Sequence, residues 1–526
     1  MRPARQEAQP GKSLWHSPVT SPPYERPTQY EEIRMAVSEA DVASVTPPLE
    51  PIRSKHRVQF LDDEQLDRLQ DATLRILEDV GVRFPSDRAL EILSGHGASV
   101  DKATRIVRFP RDLVRRALAT APRRFTMAAR DPRFDLHLED GVSYFTTDGC
   151  GVATVDFDTG LERPSRKSDV AEMARIADSL PSIGFMWPTV SAQDRGPTSQ
   201  LHEIDAAYNN TVKHFQGMVQ GADAARRAIE MATVLAGSRE ALRERPMLSD
   251  LICSIAPLAQ DHAGIEAALA FAEAGLPVGM LAMPTLGTTA PATSAGALVV
   301  GDAEVISAIV LLQLAYPGAP AFHSIMKAWA DPRNGNYVGY SLDSRARYAP
   351  VEMAHHWGLP SMAACFGTDS PTAGTWQAGV EVALDPFLGG LAGPELVTGM
   401  GLDRTYTLLT PEAIILDDDI YQRARHALLA EDVSDETLAL DVIAEVGPGG
   451  HFLAEKHTRV HMRTALKRGL THELAEGGGY RDPVEVARER VAWIRENHHP
   501  EPLDPAMSAE LTRILDAADR ELGAPE

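Results

Sequence analysis

The sequence predicts an α/β protein, a (β/α)8 TIM barrel with helical additions at its N- and C-terminal ends. Three observations predict it. Short apolar runs alternate with amphipathic stretches about eight times between residues 140 and 400, the pattern of strands that each return through a helix to pair in parallel. The runs lie roughly 30 to 45 residues apart, which leaves room for a strand, a helix and generous loops. No GxGxxG follows the first run. That counts against the main rival, an open doubly wound sheet binding a dinucleotide at that turn.

Residues 1–55 are rich in Pro, Ser and charge, with Pro22, Pro23, Pro27, Pro47 and Pro48, and are expected to form a disordered tail. Order is expected to begin near Phe60. Asp62 and Asp63 can cap a helix whose Leu66, Leu69, Leu74, Leu77 and Val80 recur at helical spacing. Leu90, Ile92 and Leu93 mark a second helix, and Leu113, Val114 and Leu118, after Pro110, a third. Residues 56–130 therefore read as a small helical N-terminal region.

The barrel is assigned to residues 131–430. Its strand cores are expected at Tyr144–Thr147, Gly184–Val190, His214–Val219, Leu251–Ile255, Val278–Met283, Ala321–Met326, Ala363–Phe366 and Leu396–Met400. Helices are expected at Ser168–Leu180, Gln200–Asn209, Ala222–Leu235, Asp261–Ala274, Ser294–Ala315, Arg345–Trp357 and Gln377–Leu388. Residues 431–526 read as a charged, helical C-terminal region with segments at Thr437–Val446, His457–Arg468 and Val484–Glu496.

Composition narrows the function. The 526 residues are 44% hydrophobic, enough for a large core. Fifty-one Lys and Arg against 74 Asp and Glu leave a formal charge of −23, which argues against nucleic acid and anionic membrane as partners. Cys150, Cys253 and Cys365 form no CxxC pair, so neither a disulfide framework nor a zinc ribbon is expected. A reducing, cytoplasmic setting follows. The N-terminus lacks the apolar segment of a secretory signal. The most apolar stretch, Ala308–Ala315, is too short to span a bilayer. Asp417–Asp419 lacks a DDxxD spacing, and His457 and His461 do not make HExxH. Gly447-Pro448-Gly449-Gly450 is not followed by Lys-Ser/Thr, and no GxSxG exists. No metal site is expected.

In such barrels chemistry sits at the C-terminal ends of the strands. The residues just beyond the apolar runs are Asp148; Trp187, Pro188 and Ser191; Gln216; Ser254; Met283 and Pro284; His323 and Lys327; Thr368, Asp369 and Ser370; and Gly399 to Gly401. Asp369 is the sharpest, because it ends an apolar run and precedes Ser-Pro; it either faces a cationic ligand or caps the next helix. His323 lies inside an apolar strand, where core packing and a catalytic role both suit it. Trp376, Gln377 and Glu381 open the next helix, with Gln377 and Glu381 on one face; a solvated helix start is the plainer reading. Trp187, Phe322, Trp329, Tyr337, Tyr340, Phe366 and Trp376 could offer aromatic faces to a quaternary ammonium, or serve as packing.

Several segments resemble the trimethylamine methyltransferase family. They are Asp156-Phe-Asp-Thr-Gly160 with Arg163 and Asp169; Gly335-Asn336; Gly358-Leu-Pro360; Gly367-Thr-Asp-Ser370 followed by Gln377-Ala-Gly379 and Glu381; and, most distinctive, Glu445-Val-Gly-Pro-Gly-Gly-His-Phe-Leu453 with His457-Thr458. The resemblance runs from about Phe60 to Trp493. It implies a (β/α)8 enzyme that moves a methyl group from an amine to the cobalt of a corrinoid (cobalamin). The corrinoid would be carried by a separate partner protein, with no cofactor bound tightly by this chain. A homo-oligomer is expected on the same ground.

The family archetype uses pyrrolysine for trimethylamine. This sequence contains no pyrrolysine, which points to the branch acting on quaternary amines such as glycine betaine. A quaternary amine leaves as a neutral tertiary amine, so no proton need be supplied. Asp369, His323 and Gln377 are then the expected catalytic residues, and Trp187, Lys327, Tyr340, Phe366, Trp376 and Glu381 the expected substrate-binding ones. The chain departs from many relatives in having Ser370-Pro371 after the Asp, and Trp376 before Gln377. Two other readings remain: a barrel enzyme for another small cationic or sulfonium compound, and a non-catalytic sensor.

Overall fold

In the computed structural model, residues 46–522 are described, apart from 150, 341, 342, 344 and 365. The eight apolar runs become strands β1 (Tyr144–Thr147), β2 (Ile183–Met186), β3 (His214–Gly217), β4 (Leu248–Cys253), β5 (Val278–Ala282), β6 (Ala321–Ile325), β7 (Ser361–Ala364) and β8 (Leu396–Met400). They pair in parallel, each with the next, and β8 closes on β1 through Leu396 opposite Tyr144. Helices return the chain: α1 (Lys167–Asp178), α2 (Ser199–Asn210), α3 (Ala222–Ala236), α4 (His262–Ala274), α5 (Ser294–Ala315), α6 (Arg345–Trp357), α7 (Trp376–Ala383), α8 (Asp385–Ala392) and α9 (Ala413–Leu428). The single helix expected at Gln377–Leu388 is two. Pro386, in the first turn of α8, has no N–H with which to continue the helix before it.

Alternation along the strands separates two cores. Tyr144, Phe185, Leu251, Leu281, Phe322, Met362 and Leu396 fill the barrel, and the hairpin Phe125–Met127/Leu136–Leu138 packs with them through Met127, Leu136 and Leu138. Phe145, Ile183, Phe215, Ile252, Val278 and Val397 point outward into the helix layer. α5 is long and apolar enough to cross a membrane by length and composition. Here it is buried on nearly all sides, packed on β5 and β6 within and the N-terminal helices without, as an all-round apolar helix must be.

The termini differ from expectation. Residues 1–45 of the expected tail lie outside the described residues, but 46–55 are packed. Thr46, Ile52 and Ser54 are buried, and Ile52 and Ser143 exchange backbone hydrogen bonds of 3.1 and 2.9 Å. Pairing of this kind needs no apolar periodicity, so proline and charge disguised it. The N-terminal region has its expected helices at Asp63–Arg75, Asp87–Gly95 and Arg111–Leu118. It is not purely helical, however: Val82–Arg83, Ser99–Asp101 and Ile106–Arg108 form an antiparallel sheet. Strands of two or three residues are too short to show a period.

At the other end, Pro483–Asn497 packs on α9 and α1, and Pro505–Leu522 on α3. The segment Asp156–Gly160 is a clasp for the first of these. Arg163 binds Asp156 at 3.1 Å and both oxygens of Asp169 at 2.8 Å, while the guanidinium groups of Arg488 and Arg495 stack on Phe157 at 4.2 and 4.6 Å.

Candidate functional site

Three neighbouring strands aim polar groups into the mouth. Asp148 follows β1 on the side of Tyr144 and Thr146 and is buried. Its Oδ1 accepts from the Gly149 N–H at 2.8 Å, and its own N–H donates to Met400 O at 2.8 Å. Oδ2 has no partner among the described residues. Burial pushes this carboxyl up to about 7. Trp187 follows β2 on the side of Phe185, and its indole lies flat on Gly149. A Cβ at Gly149 would come within 2.3 Å of Trp187 Cε2, so only glycine admits the ring. Trp187 Nε1 is also buried without a partner. On β3, Gln216 stands over Met362, with Nε2 4.0 Å from the sulfur and Oε1 unpartnered. Buried polar atoms are nearly always paired; here three without a partner among the described residues stand together at the mouth, at the ends of adjacent strands β1, β2 and β3.

Loops roof this site with tyrosines. Tyr337 comes from a small sheet formed with Ala328–Ala330 beyond β6. Tyr340 packs on Tyr406 with ring centroids 5.7 Å apart. Burial raises all three hydroxyls above the ordinary tyrosine range, and the Asp148 carboxylate adds to the effect on each. Arg404, Thr405 and Tyr406 are consecutive left-handed residues, φ 52°, 51° and 66°, a conformation that persists only where surroundings enforce it.

The enforcing residue is Asp369. Its Oδ1 accepts from Thr405 Oγ1 at 2.7 Å and Gly339 N at 3.2 Å, and its Oδ2 from Tyr340 N at 3.1 Å. Backbone bonds from Arg404 to Ser370 and from Thr405 to Thr368 tie the same loops. Glu381 on α7 buttresses the turn, accepting from Thr368 Oγ1, from the Asp369 N–H at 2.8 Å and from Gln377 Nε2 at 3.0 Å. The Tyr340 hydroxyl donates to Phe366 O. Gly367, at φ +128°, leaves room for it, since a Cβ there would lie 2.1 Å from that hydroxyl.

Of the residues singled out in the sequence, Trp187 and Tyr340 reach the mouth, although the Arg347 guanidinium already covers Tyr340 at 5.0 Å. Asp369 is at the mouth but is engaged in holding loops, with Glu381 and Gln377 behind it. The others point elsewhere. His323 turns outward, its Nε2 2.8 Å from Asp302 on α5. Phe366 also turns outward, edge-on to Phe145 at 5.8 Å. Lys327 is buried toward the first turn of α5, donating to Ser294 Oγ at 2.9 Å. Burial lowers its ammonium to about 8, partly offset by Asp343. Trp376 is 87% exposed on the rim. Cys150 and Cys365 lie outside the described residues.

Sequence reasoning named Asp148 among the strand-end residues but preferred Asp369; the Asp-Gly pair beside a strand-end Trp was the available signal. Nothing in the sequence marked Tyr406. Asp250 on β4 also has an unpartnered oxygen, and burial pushes it up to about 8. It faces outward, with Oδ1 accepting from Val219 N at 2.8 Å, as the inward turn of Leu251 dictates. Among the described residues no group of three or more His, Cys, Asp or Glu is arranged to hold a metal ion.

The family described as trimethylamine methyltransferase (MTTB) matches residues 31–523. The chain is 34% identical over 467 residues to trimethylamine methyltransferase MttB of Desulfitobacterium hafniense (strain DSM 10664 / DCB-2), covering 88% of this chain and 94% of that protein. It is 29% identical over 475 residues to the glycine betaine methyltransferase of Desulfitobacterium hafniense (strain Y51), covering 89% of this chain and 98% of that one. Among solved structures, the crystal structure of the Methanosarcina barkeri monomethylamine methyltransferase covers 94% of this chain and 97% of its own, at 10% identity and a TM-score of 0.48.

Proposed function

We propose that this chain, which belongs to the trimethylamine methyltransferase family and is a methyltransferase, takes one methyl group from a small quaternary amine of the glycine betaine kind and passes it to a reduced corrinoid carried by a separate partner protein. The observation that supports this reading is the Oδ2 of Asp148, buried without a partner among the described residues, next to the Gly149 on which the Trp187 indole packs, with the carboxylate close enough to Tyr406 to raise its hydroxyl. A buried carboxylate without a counter-charge is costly. A quaternary ammonium relieves that cost, and aromatic faces accept its methyl groups by cation–π attraction. A relative is named for glycine betaine, which agrees with a cation as substrate.

The corrinoid, when delivered, supplies a cobalt(I) nucleophile for the methyl carbon. This chain's residues orient the amine and exclude water. Asp148 holds the ammonium, with Trp187 and Tyr406 limiting its tumbling, while Asp369 positions the tyrosine loops. The amine becomes neutral as the methyl departs, so Asp148 loses its counter-charge. A carboxyl with a pKa of about 7 then takes a proton readily at Oδ2 from solvent as the product leaves, and the product is not held. The rim suits delivery of the group by another protein. Trp376 is 87% exposed, Val380 and Leu384 follow it at helical spacing, and Met283 and Ile255 are exposed at the ends of β5 and β4. A reduced corrinoid requires a reducing setting, so a cytoplasmic location is part of the proposal.

The test is a mass-spectrometric demethylation assay. The protein is mixed with reduced cobalamin, and then with its cognate corrinoid protein, against glycine betaine, carnitine, γ-butyrobetaine, proline betaine, choline and trimethylamine. Corrinoid-dependent loss of one methyl from a quaternary amine is expected. Loss from trimethylamine alone, or binding with no demethylated product, overturns the proposal, the second outcome in favour of a sensor.

A further inference from the structure

Residues 429–469 form an arm between α9 and the helix Pro483–Asn497. It contains the helices Asp435–Leu438, Leu440–Val446 and Lys456–Ala465, and none of its described residues is buried. These helices have 4, 7 and 10 residues, whereas isolated helices become marginal in water only at about 12–15. None of them packs extensively on the barrel. Large apolar side chains nevertheless stand in the open, among them Val433, Leu440, Ile443, Leu453, Val460 and Met462, with Leu453 81% exposed. Such a concentration of exposed apolar groups marks a surface that is covered in use.

Charge indicates what covers it. The first half of the arm carries Glu431, Asp432, Asp435, Glu436, Asp441 and Glu445, and no Lys or Arg as far as Gly450. The second half carries Lys456, Arg459, Arg463, Lys467 and Arg468 against the single acid Glu455. Within one chain the halves meet at His461 and Glu436, 3.8 Å apart. An acidic strip and a basic strip flanking apolar residues are their own complement under a two-fold rotation. A partner of single sign would be repelled by one half. The chain's formal charge of −23 makes undirected encounters between copies repulsive, so the basic strip is the favourable meeting place. A stable interface draws on about 20–30 residues from each partner, a number that residues 429–469, none of them buried where described, can provide.

We propose that this arm is an interface between two copies of this chain, with the acidic half of each arm lying on the basic half of the other. The pairing is independent of which amine is demethylated. Sedimentation velocity on the full chain at micromolar concentration is expected to show a dimer or a multiple of it, weakening as salt is raised. K456E/R459E/K467E/R468E makes both halves acidic and D435K/E436K/D441K/E445K makes both basic. Each variant alone is expected to sediment as a monomer, with association weakened more than tenfold and the circular dichroism unchanged. An equimolar mixture of the two is expected to restore the paired species. A monomeric wild type overturns the proposal, as does association unchanged in both variants. A monomeric wild type that loses binding of the corrinoid protein in these variants would assign the arm to that partner instead.

Discussion

Asp302 and Asp148 are both buried, both stand beside a tryptophan, and differ in what their oxygens touch. Asp302 on α5 accepts from His323 Nε2 at 2.8 Å, Thr73 Oγ1 at 2.7 Å and Trp357 Nε1 at 3.0 Å. It joins a barrel strand, an N-terminal helix and α6, and both of its oxygens are paired. Asp148, on the other side of the barrel wall, has among the described residues a single backbone donor on Oδ1 and nothing on Oδ2. A fully paired buried acid such as Asp302 is architecture, while a half-paired one that faces the mouth, as Asp148 does and the outward Asp250 does not, is free to meet something that arrives. The same contrast separates Asp369, which has three donors, from Asp148, and moves the proposed counter-ion from the first to the second.

The strongest way to break the comparison is Asp302→Ala. It leaves His323, Thr73 and Trp357 buried without their acceptor and is expected to lower unfolding stability by about 3–5 kcal/mol. Methyl transfer per folded molecule should be unchanged. Urea unfolding alongside the demethylation assay measures both; an unaltered midpoint would mean that the network is not structural. Asp148→Asn should do the reverse. A loss of about 100-fold in kcat/KM is expected, the order seen when one charge-stabilising group is removed from a site, with the melting temperature held or raised.

The pH dependence sharpens the contrast. The folded pKa of Asp148, about 7, lies above its unfolded value of 3.8. Between those values the unfolded chain has released a proton that the folded chain keeps. Stability from this group is therefore full below about pH 4, falls as pH rises through 7, and is lost above it. Affinity for the cation should run the other way, rising to about pH 7 and then levelling. Calorimetric melting and substrate titration from pH 5 to 9 check both slopes, and Asp148→Asn should flatten them.

Gly149→Ala is expected to weaken substrate binding about tenfold, because the new methyl group would lie 2.3 Å from Trp187 Cε2 and displace the indole; an unchanged KM would show that the ring does not face substrate. The smallest effect is expected from Trp376→Ala. Turnover with free reduced cobalamin should be unchanged and KM for the corrinoid protein raised a few-fold, with stability within about 0.5 kcal/mol. Equal loss with both methyl acceptors would return Trp376 to the substrate site.

The sequence by itself determined the barrel. A strand buried on both faces must be an apolar run and a returning helix must be amphipathic, so eight such pairs are legible without coordinates. β1, β8, α5 and α6 have the bounds read from the sequence. It also determined which residues could stand at the mouth, because the end of a run is visible.

What only the tertiary structure decided is which of those residues are already engaged. Alternation was enough to suspect that His323 turns outward, but not to know that Asp302, Thr73 and Trp357 await it from three distant segments. Asp369 and Asp148 look alike in sequence, since each closes an apolar run. They differ because loops near residues 340 and 405 fold onto one and not onto the other. Hydrogen-bond partners far apart in the chain leave no periodic trace, and exposure of a side chain such as Trp376 depends on what packs across it. Pairing and burial are properties of the whole packed chain, and with them the candidate site.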